Sequence, residues 1–169
     1  MSDVLPTNSV IVVYVDGSFW QAGFGTPSNL ECDCRVRAGY GIYFPADYEM
    51  NDQFHSGRAP HYVRTNNDAE IYAIIKAMEL CENRDSRLFV YTDSLNTVRM
   101  VEEYNIWQRN YGYGYGPVLN KLFQNMAFFN TRPELVYVRG HSGNHGNDTA
   151  HELAHQGMRE SCCHLRCIR

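Results

Sequence analysis

Three acidic residues in this sequence lie where their carboxylates could bind a metal ion. Asp16 and Asp93 each end a strand-like apolar run, and Glu70 lies in the first turn of a helix-like run. Two strand ends and a helix start can meet at one point, and converging carboxylates repel each other unless a cation lies among them. Three oxygen ligands of this kind suit Mg²⁺ or Mn²⁺ better than Zn²⁺. Two such ions, about 3.5–4 Å apart, can activate a water and stabilise the leaving oxygen of a phosphodiester. The alternative is that these acids only cap a helix and solubilise strand ends.

The elements that must position these acids follow from the periodicity of the apolar residues. Alternating or continuous apolar runs predict five strands, over 9–16, 38–44, 61–65, 87–93 and 134–140. Apolar residues spaced by three and four predict four helices, over 68–83, 94–104, 118–129 and from about 147. The intervening polar and glycine-containing segments predict loops, at 17–34, 45–60 and 107–117. Short connections predict that the first three strands are antiparallel, and helical crossovers predict that the last two run parallel to the first.

The length and composition predict one domain. The chain has 169 residues, of which 44% are hydrophobic and 20% charged, enough for a real core. We expect a lead-in over 1–8, a catalytic domain over 9–158 and a polar, cysteine-containing tail over 159–169. Its apolar stretches are too short to cross a bilayer, and residues 1–10 lack the charged-then-apolar order of a signal peptide. We therefore expect no membrane partner and an intracellular location, in the nucleus or cytoplasm, with the mitochondrion left open.

Net charge and cysteine spacing restrict the partners. The net charge of −4 argues mildly against a nucleic-acid partner, although basic and amide-rich segments occur at 35–37 and 58–67. Cysteines that lack paired CxxC spacing predict free thiols, at Cys32, Cys34, Cys81, Cys162, Cys163 and Cys167. Metal binding by the run CCHLRC near the C-terminus is the alternative.

Five short motifs resemble, in order and spacing, those of the type 1 ribonuclease H domain. They are YVDGS (14–18), AGYGIYF (38–44), TNNDAE (65–70), YTDS (91–94) and VRGHSG…GND…ELA (138–154). The resemblance covers residues 10–158 and is closer to cellular eukaryotic forms than to compact retroviral ones. It implies an α/β, ribonuclease H-like fold with a five-stranded mixed sheet flanked by helices.

The resemblance also implies an activity: endonucleolytic cleavage of the RNA strand of an RNA–DNA hybrid, leaving 5′-phosphate and 3′-hydroxyl ends. Two Mg²⁺ ions would do this work, with Mn²⁺ preferred or able to substitute. Asp16, Glu70 and Asp93 match three of the family's four metal-binding carboxylates, and Asp16 would bridge both ions. The fourth position, usually Asp, is His151 here, and we expect this histidine to act as a metal ligand at the edge of the site. Imidazole is a poorer partner for Mg²⁺ than a carboxylate is. An exposed histidine without a role is the alternative for His151.

A second histidine and several polar residues also match family positions. His141 matches the loop histidine that is thought to help move water or release product, and it can exchange protons near neutral pH. Other matches predict contacts with the hybrid. The amides of Asn66 and Asn67 would read the minor groove. Thr65 and Asn120 would form a pocket that binds a DNA phosphate, and the ring of Trp107 would stack on a DNA sugar.

The region that carries the family's lysine-rich handle is thinned in this chain, with Arg109 and three tyrosines in its place. Stacking could replace part of the lost charge. We therefore expect a monomer whose hybrid binding is weak or aided by a separate domain or partner. Two functions remain open from the sequence: an active hybrid-cutting nuclease, or a weakened domain that binds a hybrid or a protein partner without cutting.

Overall fold

The structure is a computed structural model that describes residues 9–23, 36–47, 50–111 and 116–160, without the side chains of 105–111. Five strands form one sheet, and they are β1 (Val10–Gln21), β2 (Val36–Phe44), β3 (Gln53–Arg58), β4 (Arg87–Thr92) and β5 (Glu134–Tyr137). Four helices flank the sheet, and they are α1 (Asn66–Leu80), α2 (Leu95–Tyr111), α3 (Pro117–Met126) and α4 (His145–Arg159). None of the helices in these ranges is both long and apolar enough to span a membrane.

The sheet has the order β3-β2-β1-β4-β5. The pairs β1–β2 and β2–β3 are antiparallel, while β1–β4 and β4–β5 are parallel. The predicted α/β class and the mixed, five-stranded ribonuclease H-like sheet are therefore confirmed. The parallel pairs need helical crossovers, which α1, α2 and α3 supply.

The position of the third strand was predicted wrongly. Residues 61–65 form a turn that leads into α1, and β3 lies at Gln53–Arg58, inside the segment predicted as a loop. The sequence of β3, QFHSGR, has no apolar run because this edge strand is only partly buried. Backbone pairing with β2, from Phe44 opposite Gln53 to Gly39 opposite Arg58, holds it in the sheet.

Two other loop predictions were wrong in part. β1 continues past Asp16 to Gln21, because its second half pairs with β2 as far as Gln21 opposite Val36. The segment 107–117 is helical at both ends: α2 extends to Tyr111, and α3 begins at Pro117. Residues 24–34 of the predicted loop, the lead-in 1–8 and the tail beyond residue 160 lie outside the described residues, as do five of the six cysteines.

The main core lies where α1 packs on the sheet. The predicted apolar stripe of this helix is buried, and it consists of Ile71, Ile74, Ile75, Met78 and Cys81. These side chains share one cluster with Val13, Val15 and Val90 of the central strands. Burying side chains of this size stabilises the fold by about 1.5–3 kcal/mol each. The core thus fixes α1, and with it Glu70, against β1.

Two glycines on the central strands let helices approach the sheet closely. A Cβ atom at Gly17 would lie 2.3 Å from the backbone carbon of Ala69, and one at Gly41 would lie 2.1 Å from the carbonyl oxygen of Ala150. Any larger residue would push the helix away. Gly17 therefore sets the position of α1, and Gly41 sets the position of α4.

Candidate active site

The structure brings Asp16, Glu70 and Asp93 together, and we call these three residues the acid cluster. One carboxylate oxygen from each lies within 4.8 Å of the others. Asp16 comes from the middle of β1, Asp93 directly follows β4, and Glu70 lies in the second turn of α1, because that helix begins at Asn66 rather than at residue 68. The parallel register, with Tyr14 opposite Tyr91, carries Asp16 and Asp93 to the same edge.

The acid cluster is largely buried, and the ionised forms of two of its acids are therefore costly. Asp16 and Glu70 are 3% and 6% exposed. Burial and the charge of Asp93 raise the pKa of Asp16 to about 6. Burial and the charges of Asp16 and Asp93 raise the pKa of Glu70 to about 10. The amide N–H of Gly17 partly compensates, because it donates to Asp16 Oδ1 at 2.9 Å and approaches Glu70 Oε2 at 3.2 Å.

The donor set of the acid cluster fits a hard divalent cation. Three carboxylates offer only oxygen ligands, which Mg²⁺ and Mn²⁺ prefer. A cation among them would offset the repulsion that raises the pKa values of Asp16 and Glu70. The residues present therefore fit the divalent metal that the sequence predicts, although the geometry does not distinguish Mg²⁺ from Mn²⁺.

His151 lies at the border of the acid cluster. Its Nδ1 is 2.6 Å from Asp16 Oδ2, and its side chain is 35% exposed. This contact lowers the pKa of Asp16 and so acts against burial, which is the larger effect. The fourth family position thus contributes a hydrogen bond to Asp16 where a carboxylate would add a negative charge. Metal ligation by His151 stays a prediction.

Two more histidine rings pack against His151. His141, in the loop before α4, has its ring centroid 5.0 Å from that of His151. Its backbone has φ 53°, a left-handed conformation that is uncommon for residues other than glycine. His155, one helical turn after His151, has its ring 4.5 Å away. Sequence reasoning predicted His141 at the site but missed His155, which the spacing of four residues on α4 could have indicated.

Asn147 is a second residue that the sequence interpretation missed. It is 2% exposed, and its Nδ2 donates to Asp93 Oδ2 at 3.4 Å. Its Oδ1 is a buried atom for which the described residues provide no hydrogen-bond partner. The available signal was an asparagine in the motif GND at the start of α4. Asn147 therefore helps to orient the carboxylate of Asp93.

The predicted substrate residues lie on three helices, α1, α2 and α3, or at the start of one of them. Thr65 caps α1, and its Oγ1 accepts a hydrogen bond from the amide of Asp68 at 3.0 Å. Asn66 and Asn67 begin α1 rather than preceding it, and Asn66 is exposed. The Oδ1 atom of Asn67 accepts from Asn96 Nδ2 at 3.1 Å, a contact that the sequence interpretation did not include.

The two remaining substrate residues are less well defined. Asn120 is exposed near the start of α3. The side chain of Trp107 lies outside the described residues, although its backbone is within α2. The contacts predicted for all five substrate residues stay predictions.

The mixed five-stranded sheet, its flanking helices and the acid cluster at one edge define a ribonuclease H-like protein. The chain belongs to the ribonuclease H family, since the family model described as RNase H matches residues 8–159. This is a family of hydrolases, and its members include enzymes named for ribonuclease activity.

Relatives in animals and bacteria support this assignment. Ribonuclease H1 of Homo sapiens is 31% identical over 166 residues, which cover 89% of this chain and 51% of the human protein. Ribonuclease H of Ruthia magnifica subsp. Calyptogena magnifica is 32% identical over 161 residues, which cover 88% of this chain and 94% of the bacterial protein. The chain thus spans about half the length of the mammalian relative and nearly all of the bacterial one.

Solved structures agree with the fold. A foamy viral protease–reverse transcriptase in complex with an RNA/DNA hybrid matches with a TM-score of 0.68 at 20% identity, over 95% of this chain and 22% of the viral chain. LC9-RNase H1, a type 1 RNase H with the type 2 active-site motif, matches with a TM-score of 0.66 at 23% identity, over 93% of this chain and 74% of that chain. At these identities the likeness concerns the fold.

Proposed function

We propose that this chain is an endoribonuclease that hydrolyses the RNA strand of RNA–DNA hybrids with the help of two divalent metal ions. The convergence of three carboxylates within 4.8 Å, on a fold of the ribonuclease H family, carries this proposal. Asp16, Glu70 and Asp93 would hold the ions, with His151 at the border of the site. Bound ions would supply positive charge that activates a water and stabilises the leaving oxygen of a phosphodiester.

The chain's own residues would position the reacting groups. Asn147 orients the carboxylate of Asp93, and the amide of Gly17 supports those of Asp16 and Glu70. Asn67, held by Asn96, would contact the minor groove, where the RNA 2′-hydroxyl distinguishes the two strands. His141 lies in an exposed loop beside His151 and would exchange protons with solvent during product release.

The experiment is a cleavage assay with a hybrid whose RNA strand is labelled, with Mg²⁺ or Mn²⁺. We expect cleavage of the RNA strand with 5′-phosphate and 3′-hydroxyl ends, and no cleavage of duplex DNA. The Asp93→Asn variant, folded but lacking one carboxylate, should be inactive with either ion. Absence of cleavage by the folded wild-type chain with both ions would overturn the proposal.

The contact between His151 and Asp16 favours a second candidate, a weakened domain that binds hybrids without cutting them. Imidazole bonds to one oxygen of the acid that is proposed to bridge both ions. This candidate expects hybrid binding in a filter or anisotropy assay without cleavage, and cleavage gained in the variant His151→Asp. We favour the active enzyme because the acid cluster is intact.

A further inference from the structure

α4 carries two histidines whose rings lie next to each other on one face of the helix. His151 and His155 are one turn apart, and their ring centroids are separated by 4.5 Å. From the preceding loop, His141 approaches His151 at 5.0 Å between centroids. We call these residues the histidine trio. The proposed function uses His151 and His141 at the border of the acid cluster and leaves His155 without a role.

One nitrogen of each helical ring already has a partner. Nδ1 of His151 is 2.6 Å from Asp16 Oδ2, and Nδ1 of His155 is 3.4 Å from the hydroxyl oxygen of Ser18. In each ring it is therefore the Nε2 atom that is placed to coordinate a metal. A histidine that binds a metal usually bonds through its other nitrogen to a carboxylate or another polar group, which fixes its tautomer and orientation. Asp16 would orient the ring of His151 in this way, and Ser18 would orient the ring of His155.

Solvent ions can reach these rings. An open cleft of about 540 Å³ runs along this face of α4, and its lining consists of His151, Glu152, His155, Gln156, Arg159 and Glu160. Both rings are only partly buried. A metal could therefore bind without a rearrangement of the core.

We propose that His151 and His155 form a binding site for a divalent first-row transition ion such as Ni²⁺, Zn²⁺ or Co²⁺, with the ring of His141 packed beside His151. Imidazole nitrogen suits these ions, whereas Mg²⁺ prefers oxygen. Two adjoining sites would thus sort ions by ligand chemistry, with hard ions at the acid cluster and borderline ions at His151 and His155. The proposal does not depend on hybrid cleavage.

The test is a calorimetric titration of the full chain with Ni²⁺ in the presence of excess Mg²⁺. We expect wild type to bind Ni²⁺ and His155→Ala to bind it at least about tenfold more weakly. Loss of a residue that only supports a metal ligand weakens metal binding by about tenfold or more, and loss of the ligand itself should weaken it no less. His145→Ala is the matched control, because His145 is on the same helix with its ring against Tyr43. His155→Gln, which keeps a polar side chain beside Ser18, repeats the test should the alanine variant unfold. Equal Ni²⁺ affinity in wild type and the folded His155 variant would overturn the proposal.

Two further measurements separate this site from other ligands in the chain. Asp93→Asn removes an acid-cluster carboxylate and should leave Ni²⁺ affinity within about twofold of wild type, whereas a collapse of affinity would assign the ion to the acid cluster and overturn the proposal. The cysteines near the C-terminus could also bind Co²⁺, and their thiolates would give a charge-transfer absorption. We expect a Co²⁺ complex without that band, and a band that persists in His155→Ala would assign the ion to the cysteines. Retained Mg²⁺-dependent cleavage in His155→Ala would separate this proposal from the proposed function.

Discussion

The acid cluster and the histidine trio meet at Asp16 but are built in different ways. The acids come from β1, α1 and the end of β4, and packing around Gly17 holds two of them in the interior. The imidazoles come from one face of α4 and the loop before it, and those of His151 and His155 line an open cleft. Burial makes the negative charge of the acids costly, whereas solvent stabilises the polar rings without any ligand. The acid cluster, which is the interior half of the site, therefore needs a cation to offset its charge, whereas the histidine trio, the outer half, is stable without one.

The largest expected effect comes from removing the charge of Asp16, which belongs to the acid cluster and also contacts His151 of the histidine trio. Asp16→Asn should lower hybrid cleavage at least about a thousandfold, or about 4 kcal/mol in the activation barrier, because it removes the charge proposed to bridge both ions. The rate is measured with a labelled RNA strand. Asp85→Asn, the same change in an exposed turn, should cleave at the wild-type rate. A folded Asp16→Asn variant with wild-type activity would mean that the acid cluster does not bind the catalytic metal.

The next effect tests the cost of the buried charge. Burial raises the pKa of Glu70 to about 10, above its ordinary value of 4.5, so the folded protein keeps the proton that the unfolded chain releases. The stability that this proton provides is complete below pH 4.5 and is lost as the pH rises toward 10. Without metal, Glu70→Gln should raise the free energy of unfolding at pH 7 by about 1–3 kcal/mol and flatten its decline with pH.

Denaturant unfolding of metal-free wild type and Glu70→Gln, from roughly pH 5 to pH 8, measures this difference in the free energy of unfolding. Over that range unperturbed carboxyls are ionised. Added Mg²⁺ should stabilise wild type more than Glu70→Gln, because the variant lacks one ligand. A variant less stable than wild type at pH 7 would show that the carboxyl of Glu70 is not a source of strain.

The third prediction concerns the replacement of an imidazole of the histidine trio by a carboxylate. His151→Asp should raise the Mg²⁺-supported cleavage rate about tenfold, or about 1.4 kcal/mol, because an oxygen ligand replaces imidazole beside Asp16. Rates are compared over a range of Mg²⁺ and Mn²⁺ concentrations, with His145→Asp as the control on the same helix. An unchanged rate and metal preference would instead support a histidine without a role in the reaction.

The smallest expected effect comes from removing the hydroxyl of Ser18, the residue after Gly17 on β1. Ser18 Oγ lies 3.4 Å from His155 Nδ1 and donates to Met158 Sδ at 3.2 Å, so it supports the outer half only. Ser18→Ala should lower the free energy of unfolding by about 0.5–1.5 kcal/mol and leave Mg²⁺-dependent cleavage within about twofold of wild type. Thermal or denaturant unfolding and the hybrid assay measure both effects. A large loss of cleavage would show that the two halves are coupled through β1.

The sequence predicted the fold where the apolar pattern was strong and missed elements that depend on pairing. The stripe of α1 and the apolar runs of β1 and β4 were visible because burial selects their side chains. The polar β3 was missed because it is held by backbone hydrogen bonds to β2, which carry no side-chain signal. The continuation of β1 beyond Asp16 was missed for the same reason.

The candidate site shows the same division. The placement of Asp16, Glu70 and Asp93 at strand ends and a helix start was enough to indicate the three acids. His141 and His151 were indicated by the resemblance of their motif to the ribonuclease H family. Asn147 and Asn96 were missed because their relevance comes from contacts with Asp93 and Asn67, which lie 54 and 29 residues away along the chain. Long-range hydrogen bonds of this kind follow from the packing of helices on the sheet rather than from local sequence.

The sequence alone was enough to indicate the family, the order of the elements and the three acids. It did so because residue types at fixed spacings reflect local periodicity and the chemistry of a metal site. The packing of the helices on the sheet determines how buried the acids are, that His151 bonds to Asp16, and that His155 lies beside His151 on the same face of α4. Close approach of α1 at Gly17 and of α4 at Gly41 creates these relations, because the resulting distances depend on backbones that are far apart in the chain.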